Sequence, residues 1–201
     1  MILFLLVGFI VGMFVDSFFE WTLHRYVMHK PVKIFGFTFT YAFEAHAKIH
    51  HREYGSERNY HLIDENKQDK QKIPMAWWNG PVLIMVCQYP FLVTCLLVSN
   101  WWLLLGSITA GIAYYSMYEY LHWCMHLPKS PSRRVERIGI FFRLNGHHLL
   151  HHRYMHRNFN VVLPLADWCL HTLLVRSPVS FSQPTPSKVV PNVQPKLRVT
   201  N

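Results

Sequence analysis

Two stretches of the chain carry no formal charge, and they set its architecture. Residues 1–15 contain no Asp, Glu, Lys or Arg, and apolar character continues through Phe18-Phe19 to Glu20. Residues 73–118, 46 in a row, are equally free of charge. A helix needs roughly 20 apolar residues to cross a bilayer core. The first run therefore holds one crossing and the second holds two. The pattern predicts an all-α integral membrane bundle of about three passes, over about 2–19, 81–98 and 101–125. Pro90 is expected to kink the second pass. Ser99-Asn100 is the turn signal between the last two passes, and Trp101-Trp102 beside it suits an interfacial anchor.

The segments between these runs have a different character. The first helix is expected to continue through His29 and stop before Pro31, which disfavours helix at the residue preceding it. Residues 32–43 alternate aromatic and β-branched side chains and read as a re-entrant or interfacial segment. Residues 52–72 are polar and charged, a connection outside the membrane. Residues 129–144 are basic and amphipathic. From 177 onward the chain is polar and rich in proline, with Pro178, Pro184, Pro186, Pro191 and Pro195. That tail, 177–201, is expected to be disordered beside a membrane domain of 1–176. Residues 1–15 lack the basic flank and small-x-small cleavage site of a signal peptide and are read as part of the first pass.

The formal charge of +9 does not call for nucleic acid. Lysine and arginine lie outside the apolar runs, at Arg25, Lys30, Lys33, Lys48 and Arg52, within 58–72, and beyond 129. Basic residues beside membrane helices mark the cytoplasmic side. A multi-pass protein of a bacterial inner membrane or the endoplasmic reticulum accounts for them. The four cysteines, Cys87, Cys95, Cys124 and Cys169, form no Cys-x-x-Cys pair and are expected to be buried thiols.

Histidine carries the chemistry. Four imidazoles fall within residues 147–152, and three more segments repeat the pattern: His24 and His29, His46 with His50 and His51, and His122 with His126. On an α-helix, residues at i, i+4 share a face. His24 and His29, five apart, stand about 140° apart around an ideal helix, so they converge only at a helix end or a bulge. The predicted topology brings all four segments to one side of the membrane. Imidazole suits Zn, Cu, Fe and Ni, whereas Ca and Mg want oxygen. Ten such histidines exceed what one ion can use, so two neighbouring metals are expected. Glu44, Glu119 and Asp167 are the carboxylates that could orient the ligating rings from behind.

The spacing His24-x4-His29, His46-x3-His50-His51, His122-x3-His126 and His148-x2-His151-His152 resembles the histidine boxes of the fatty acid hydroxylase superfamily, membrane non-haem di-iron enzymes related to sterol desaturases. Tyr118-Glu119-Tyr120-Leu121-His122, Leu144-Asn145-Gly146-His147-His148-Leu149-Leu150-His151-His152 and Leu165-Ala166-Asp167-Trp168-Cys169-Leu170-His171-Thr172-Leu173 are similar to the corresponding runs of fatty acid 2-hydroxylases. The resemblance covers about residues 17–175. It implies a cytosolic helical cap, a di-iron centre and O2-dependent hydroxylation of a lipid chain. Carried over box by box, the ligands are His24, His29, His46, His50, His51, His122, His126, His148, His151 and His152, with His147 as an alternate to His148. His156 and His171 lie outside the boxes, where packing or contact behind the ligands is expected. Zinc can replace iron at such imidazole sites.

Fused members of that group carry a cytochrome b5 domain, which this sequence does not contain. Electrons are therefore expected from a separate cytochrome b5-like or ferredoxin-like protein. Three passes stand where the family commonly has four, and the second box has one extra residue. Leu23-His24-Arg25-Tyr26-Val27-Met28-His29 is also similar to small carotenoid hydroxylases. Carotenoid hydroxylation and sterol or lipid desaturation are the alternative activities on the same metal site. A non-catalytic membrane metal carrier is the alternative of another class, and apolar mid-pass positions argue against it.

Overall fold

The computed structural model of the chain describes residues 1–55, 59–61, 73–128, 130 and 132–175. The expected Pro-rich tail and most of the polar connection fall outside the described residues. Three long helices dominate: α1 (Ile2–Leu23), α4 (Asn79–Val98) and α5 (Trp101–His126). α1 packs chiefly on α5, and α5 also carries α4. The α1–α5 contact is close because glycine makes it so. A Cβ on Gly8 would collide with the Leu103 carbonyl, and one on Gly106 with the Leu5 carbonyl. Small residues let helices approach to backbone contact in this way.

The outer surfaces of these helices are apolar, with Ile2, Leu3 and Ile10 on α1, Met85, Leu96 and Leu97 on α4, and Trp101 and Ile112 on α5 all exposed. Their inner faces carry polar groups: Asp16, Ser17, Glu20, Gln88 and Ser107 are buried. Hydrophobic outside and polar inside is the reverse of a helix packed in water. Two segments, Ile2–Met28 and Asn79–Val98, are long and apolar enough to cross a membrane. The expectation of wholly apolar mid-pass positions is thus corrected at Asp16, Glu20 and Gln88. Ser99 adopts a left-handed conformation (φ 48°), and Asn100 caps α5 by accepting from the Trp102 N–H at 3.2 Å.

The first helix does run on past Leu23, but it changes pitch. His24–Met28 is a π-helical turn, and so is Glu44–His50, between the short α2 (Tyr41–Phe43) and α3 (His51–Tyr54). Within the expected interfacial segment lies a hairpin, β1 (Val32–Ile34) against β2 (Phe37–Phe39), which corrects an all-α architecture to a mostly helical one. Its two-residue turn has positive φ at both Phe35 (47°) and Gly36 (84°), which matches the right-handed twist of the strands. Alternation of aromatic and β-branched residues was the strand signal. A 3-10 turn (Arg134–Arg137) opens the basic stretch and leads into α6 (Gly139–Arg153), and α7 (Leu165–Cys169) closes the described fold.

A candidate dimetal centre of ten histidines

The histidine segments converge at the end of the bundle where α1 and α5 finish. Their ring nitrogens sort into two groups of five, each able to hold a metal ion, with the offered atoms of each group within 4.8 Å of one another. The first group holds His24, His29, His46, His51 and His151; the second holds His50, His122, His126, His148 and His152. In the first, Nε2–Nε2 separations are 2.8 Å (His24–His46), 3.0 Å (His46–His51), 3.1 Å (His29–His151) and 3.2 Å (His51–His151). In the second they are 3.1 Å (His148–His152), 3.2 Å (His126–His148) and 3.3 Å (His50–His122 and His50–His152). A six-coordinate ion about 2.1 Å from each ligand places adjacent ligand atoms about 3.0 Å apart and opposite ones about 4.2 Å apart. The separations of 2.8–3.3 Å in both groups match adjacent positions of such a shell. The groups adjoin, since the His51 and His152 rings stack at 4.3 Å across the boundary.

Local helix geometry explains who stands where. The π turn brings His24 and His29, five apart, into a stacked pair at 5.2 Å. The second π turn brings His46 and His51 together edge to face at 4.7 Å and leaves His50 in the other group. On α5 and α6, ordinary α-helix pairs His122 with His126 and His148 with His152 at i, i+4. His148, not His147, joins the second group, and the His147 Nε2 faces Asp167 at 3.2 Å.

Hydrogen bonds behind the rings fix their tautomers. Nδ1–H of His24 donates to the Phe159 carbonyl, that of His151 to the Arg157 carbonyl at 2.8 Å, and that of His126 to the Tyr60 carbonyl at 2.9 Å. A neutral imidazole has one N–H, so Nε2 in these three rings presents a bare lone pair to its group. Burial, reinforced by neighbouring histidines, depresses His46, His148 and His152 well below the usual imidazole value. Burial also pushes His29 down to about 4 and His151 to about 3. The rings are therefore neutral near pH 7, the form that ligates a metal. Facing lone pairs repel unless a cation lies between them, and the donor set fits one.

The carboxylates behave differently from expectation. Glu44 is exposed and pairs with Lys48 at 3.8 Å. Glu119 accepts from the Met75 N–H at 3.3 Å and from the Tyr115 hydroxyl, and it touches none of the ten rings. Asp167 is buried and accepts four bonds: from the Phe159 and Asn160 N–H groups, the Thr172 hydroxyl and His147. Burial alone would raise its carboxyl, but those bonds together hold it below the usual range. By organising the loop, Asp167 places the Phe159 carbonyl behind His24. His156 and His171 are exposed, though the His171 carbonyl accepts from Arg157 at 2.7 Å. Cys169 is exposed as well, whereas the other three cysteines are buried as expected.

Two residues were missed. Glu20 accepts from the Val161 N–H (2.7 Å), the Tyr114 hydroxyl (2.6 Å) and Asn160 (3.0 Å), which clamps the loop to α1. Asp16 lies one turn earlier. An acidic pair at i, i+4 in a run without basic partners was the available signal, because ionisable groups in apolar helices are costly and kept for a use. Both line an apolar cavity between α1, α4 and α5, with Leu83, Ile84, Tyr114 and Tyr115 in its walls and His24 and Tyr118 at the metal end. His24 brings the first histidine group into the cavity lining, and the Tyr118 ring, which also lines it, stacks on His122 of the second. Three tyrosines of α5, Tyr114, Tyr115 and Tyr118, line the cavity, and no residue of 35–43 does. No family model, curated protein or solved structure matches the chain.

Proposed function

We propose that the chain is an O2-dependent membrane di-iron oxygenase that hydroxylates an unactivated C–H of a lipid, a fatty acyl chain being the class the resemblance implies. One observation carries this reading: two adjoining five-imidazole groups lie beside an apolar cavity walled by three helices, and His24 of the first group lines it. The ten histidines would hold the metals. Iron held there would supply the activation of O2, with two electrons from an external donor and two protons, so that one oxygen atom would enter the substrate and the other would leave as water.

The chain's own residues supply the rest. The cavity walls hold an alkyl chain against His24 and Tyr118 and exclude water from the reaction. The Phe159, Arg157 and Tyr60 carbonyls keep the rings in the ligating tautomer. In this reading α1, α4 and α5 all cross the bilayer, their exposed apolar residues face lipid, and the histidines lie at the cytoplasmic face beside Arg25, Lys30, Lys33 and Lys48. The test is mass spectrometry of lipids from carotenoid-producing cells grown under labelled O2, expressing either the chain or His151→Ala. Labelled oxygen on acyl chains, absent in the variant, is the expected result. Label on the carotenoid would move the substrate to the other class, and equal label with His151→Ala would overturn the oxygenase reading.

A further inference from the structure

Among the described residues three carboxylates are buried, Asp16, Glu20 and Asp167, and they are not equally satisfied. Both oxygens of Glu20 and both of Asp167 accept hydrogen bonds. Asp16 differs. Its Oδ1 accepts from the Cys87 thiol at 2.9 Å and from Gln88 Nε2 at 3.2 Å, while its Oδ2 has no partner. The Gln88 carbonyl oxygen has none either. Among the described residues these are the two buried side-chain oxygens left unpaired, and both side chains are about 95% buried (5% and 4% exposed). A lost partner in such surroundings costs far more than an exposed one.

A carboxylic acid and a primary amide facing edge to edge make two parallel hydrogen bonds. Here only one forms, and the remaining oxygen of each side chain has no partner. No basic residue occurs in 1–23 or 73–118 to balance a charge on Asp16. An unpaired carboxylate is expensive among apolar helices, so the neutral acid is the form these surroundings admit. The open edge then offers one O–H donor, on Asp16, and one acceptor, on Gln88. A hydroxyl group is the complement, because it accepts one bond and donates another. An ammonium group has no acceptor and would leave the Asp16 proton unpaired. Asp16 and Cys87 line the same cavity that ends at His24.

We propose that Asp16 and Gln88 form a head-group site for an alcohol, which fixes the substrate as a hydroxyl-bearing lipid lying along the cavity with its chain directed to the histidine groups. The assignment rests on the oxygenase reading for what happens at the far end. Eight residues of helix separate Asp16 from His24, a rise of about 12 Å. An extended chain advances about 1.2 Å per bond, so the attacked carbon lies roughly ten bonds from the hydroxyl. Oxygen is therefore placed at a remote carbon and not beside the head group. Asp16 and Gln88 set specificity and position; neither touches the reacting atoms.

The test uses the purified, metal-free full chain in detergent, with 1-tetradecanol and 1-methoxytetradecane as probes. The ether keeps the chain and the oxygen but cannot donate. The wild type is expected to bind the alcohol about tenfold more tightly than the ether, as one buried hydrogen bond warrants. Gln88→Leu should bring that ratio near one without weakening ether binding, whereas Asp16→Leu, which removes the proton that both probes accept, should weaken both several-fold. A ratio near one in the wild type, as for an edge filled by water only, overturns the proposal, and so does a preference that survives Gln88→Leu or binding of both probes that Asp16→Leu leaves unchanged. If Asp16→Leu does not fold, the wild-type ratio and Gln88→Leu decide. Product analysis with reconstituted protein separates the two readings. Oxygen adjacent to the hydroxyl overturns the head-group placement and leaves the oxygenase standing. Alcohol preference without any oxygenated product does the reverse.

Discussion

In the first histidine group the intrahelical pairs, His24/His29 and His46/His51, are five residues apart; in the second, His122/His126 and His148/His152 are four apart. The two intrahelical pairs of the second group need only regular α-helix. The first needs two π turns, which are less stable than α-helix and are found mostly at functional sites. Each group then borrows its fifth member from a helix that serves the other, His151 from α6 and His50 from the second π segment. The supports differ too. The loop carrying Arg157 and Phe159 backs the first group, and the 59–61 segment backs the second through the Tyr60 carbonyl. Equal numbers of ligands thus rest on unequal scaffolds, and the two groups can be perturbed apart.

The largest effects come from removing a ligand in each. His24→Ala and His122→Ala should both lower hydroxylation by more than about 100-fold, beyond what loss of an outer contact costs. Metal analysis should show each variant losing its own ion and retaining most of the other. Loss of both ions from either one would mean that the shared helices make the groups a single unit.

Asp167→Asn should act on the first group alone. The Phe159 and Asn160 N–H groups are held by different oxygens of Asp167, and the amide keeps only one, so one of the two N–H groups loses its acceptor and the loop behind His24 loosens. A drop of roughly 10–100-fold in metal affinity is expected there, as for other outer-contact losses. Stepwise chelator titration would resolve it, and weakening of both steps equally would erase the distinction between the two scaffolds.

How much of this was legible beforehand follows the same division. The i, i+4 pairs were readable from α-helical periodicity, and so was the need for a bulge between His24 and His29. The choice between His147 and His148 was not, because adjacent residues differ only by where the loop puts Asp167. Helix spans from charge-free runs came within a few residues of α4 and α5. The hairpin at 32–39 was not foreseen, since exposed Phe35 and Phe37 resemble membrane-seeking residues as much as a strand. Asp16 and Glu20 were passed over because averaging hydropathy hides single polar residues, yet their partners come from α4, α5 and a loop some 140 residues away.

Acid should act on both groups alike. An imidazole in the unfolded chain titrates near 6.5. In the folded protein His29 and His151 are depressed to about 4 and about 3, and His148 and His152 are depressed as well. As pH falls below 6.5 the unfolded chain binds more protons than the folded one, so stability declines with falling pH and is fully present above 6.5. The melting temperature of metal-free protein should fall by at least about 2 °C between pH 7.5 and 5. A flat profile would show that the rings are protonated in the fold.

The smallest effect expected is at the second group's support. The Tyr60 side chain is almost fully buried, and its hydroxyl donates to the Asn145 side chain at 2.8 Å. Tyr60→Phe removes that bond and keeps the ring that packs beside His126 at 4.8 Å. The backbone carbonyl that accepts from His126 is untouched. The loss should be about 1 kcal/mol of stability, the usual worth of one hydrogen bond, with the metal content of both groups unchanged. If Tyr60→Phe instead empties the second group, its support is the side chain and not the carbonyl. The second group would then depend on a loop as heavily as the first does, and regular helix would not be what sets it apart.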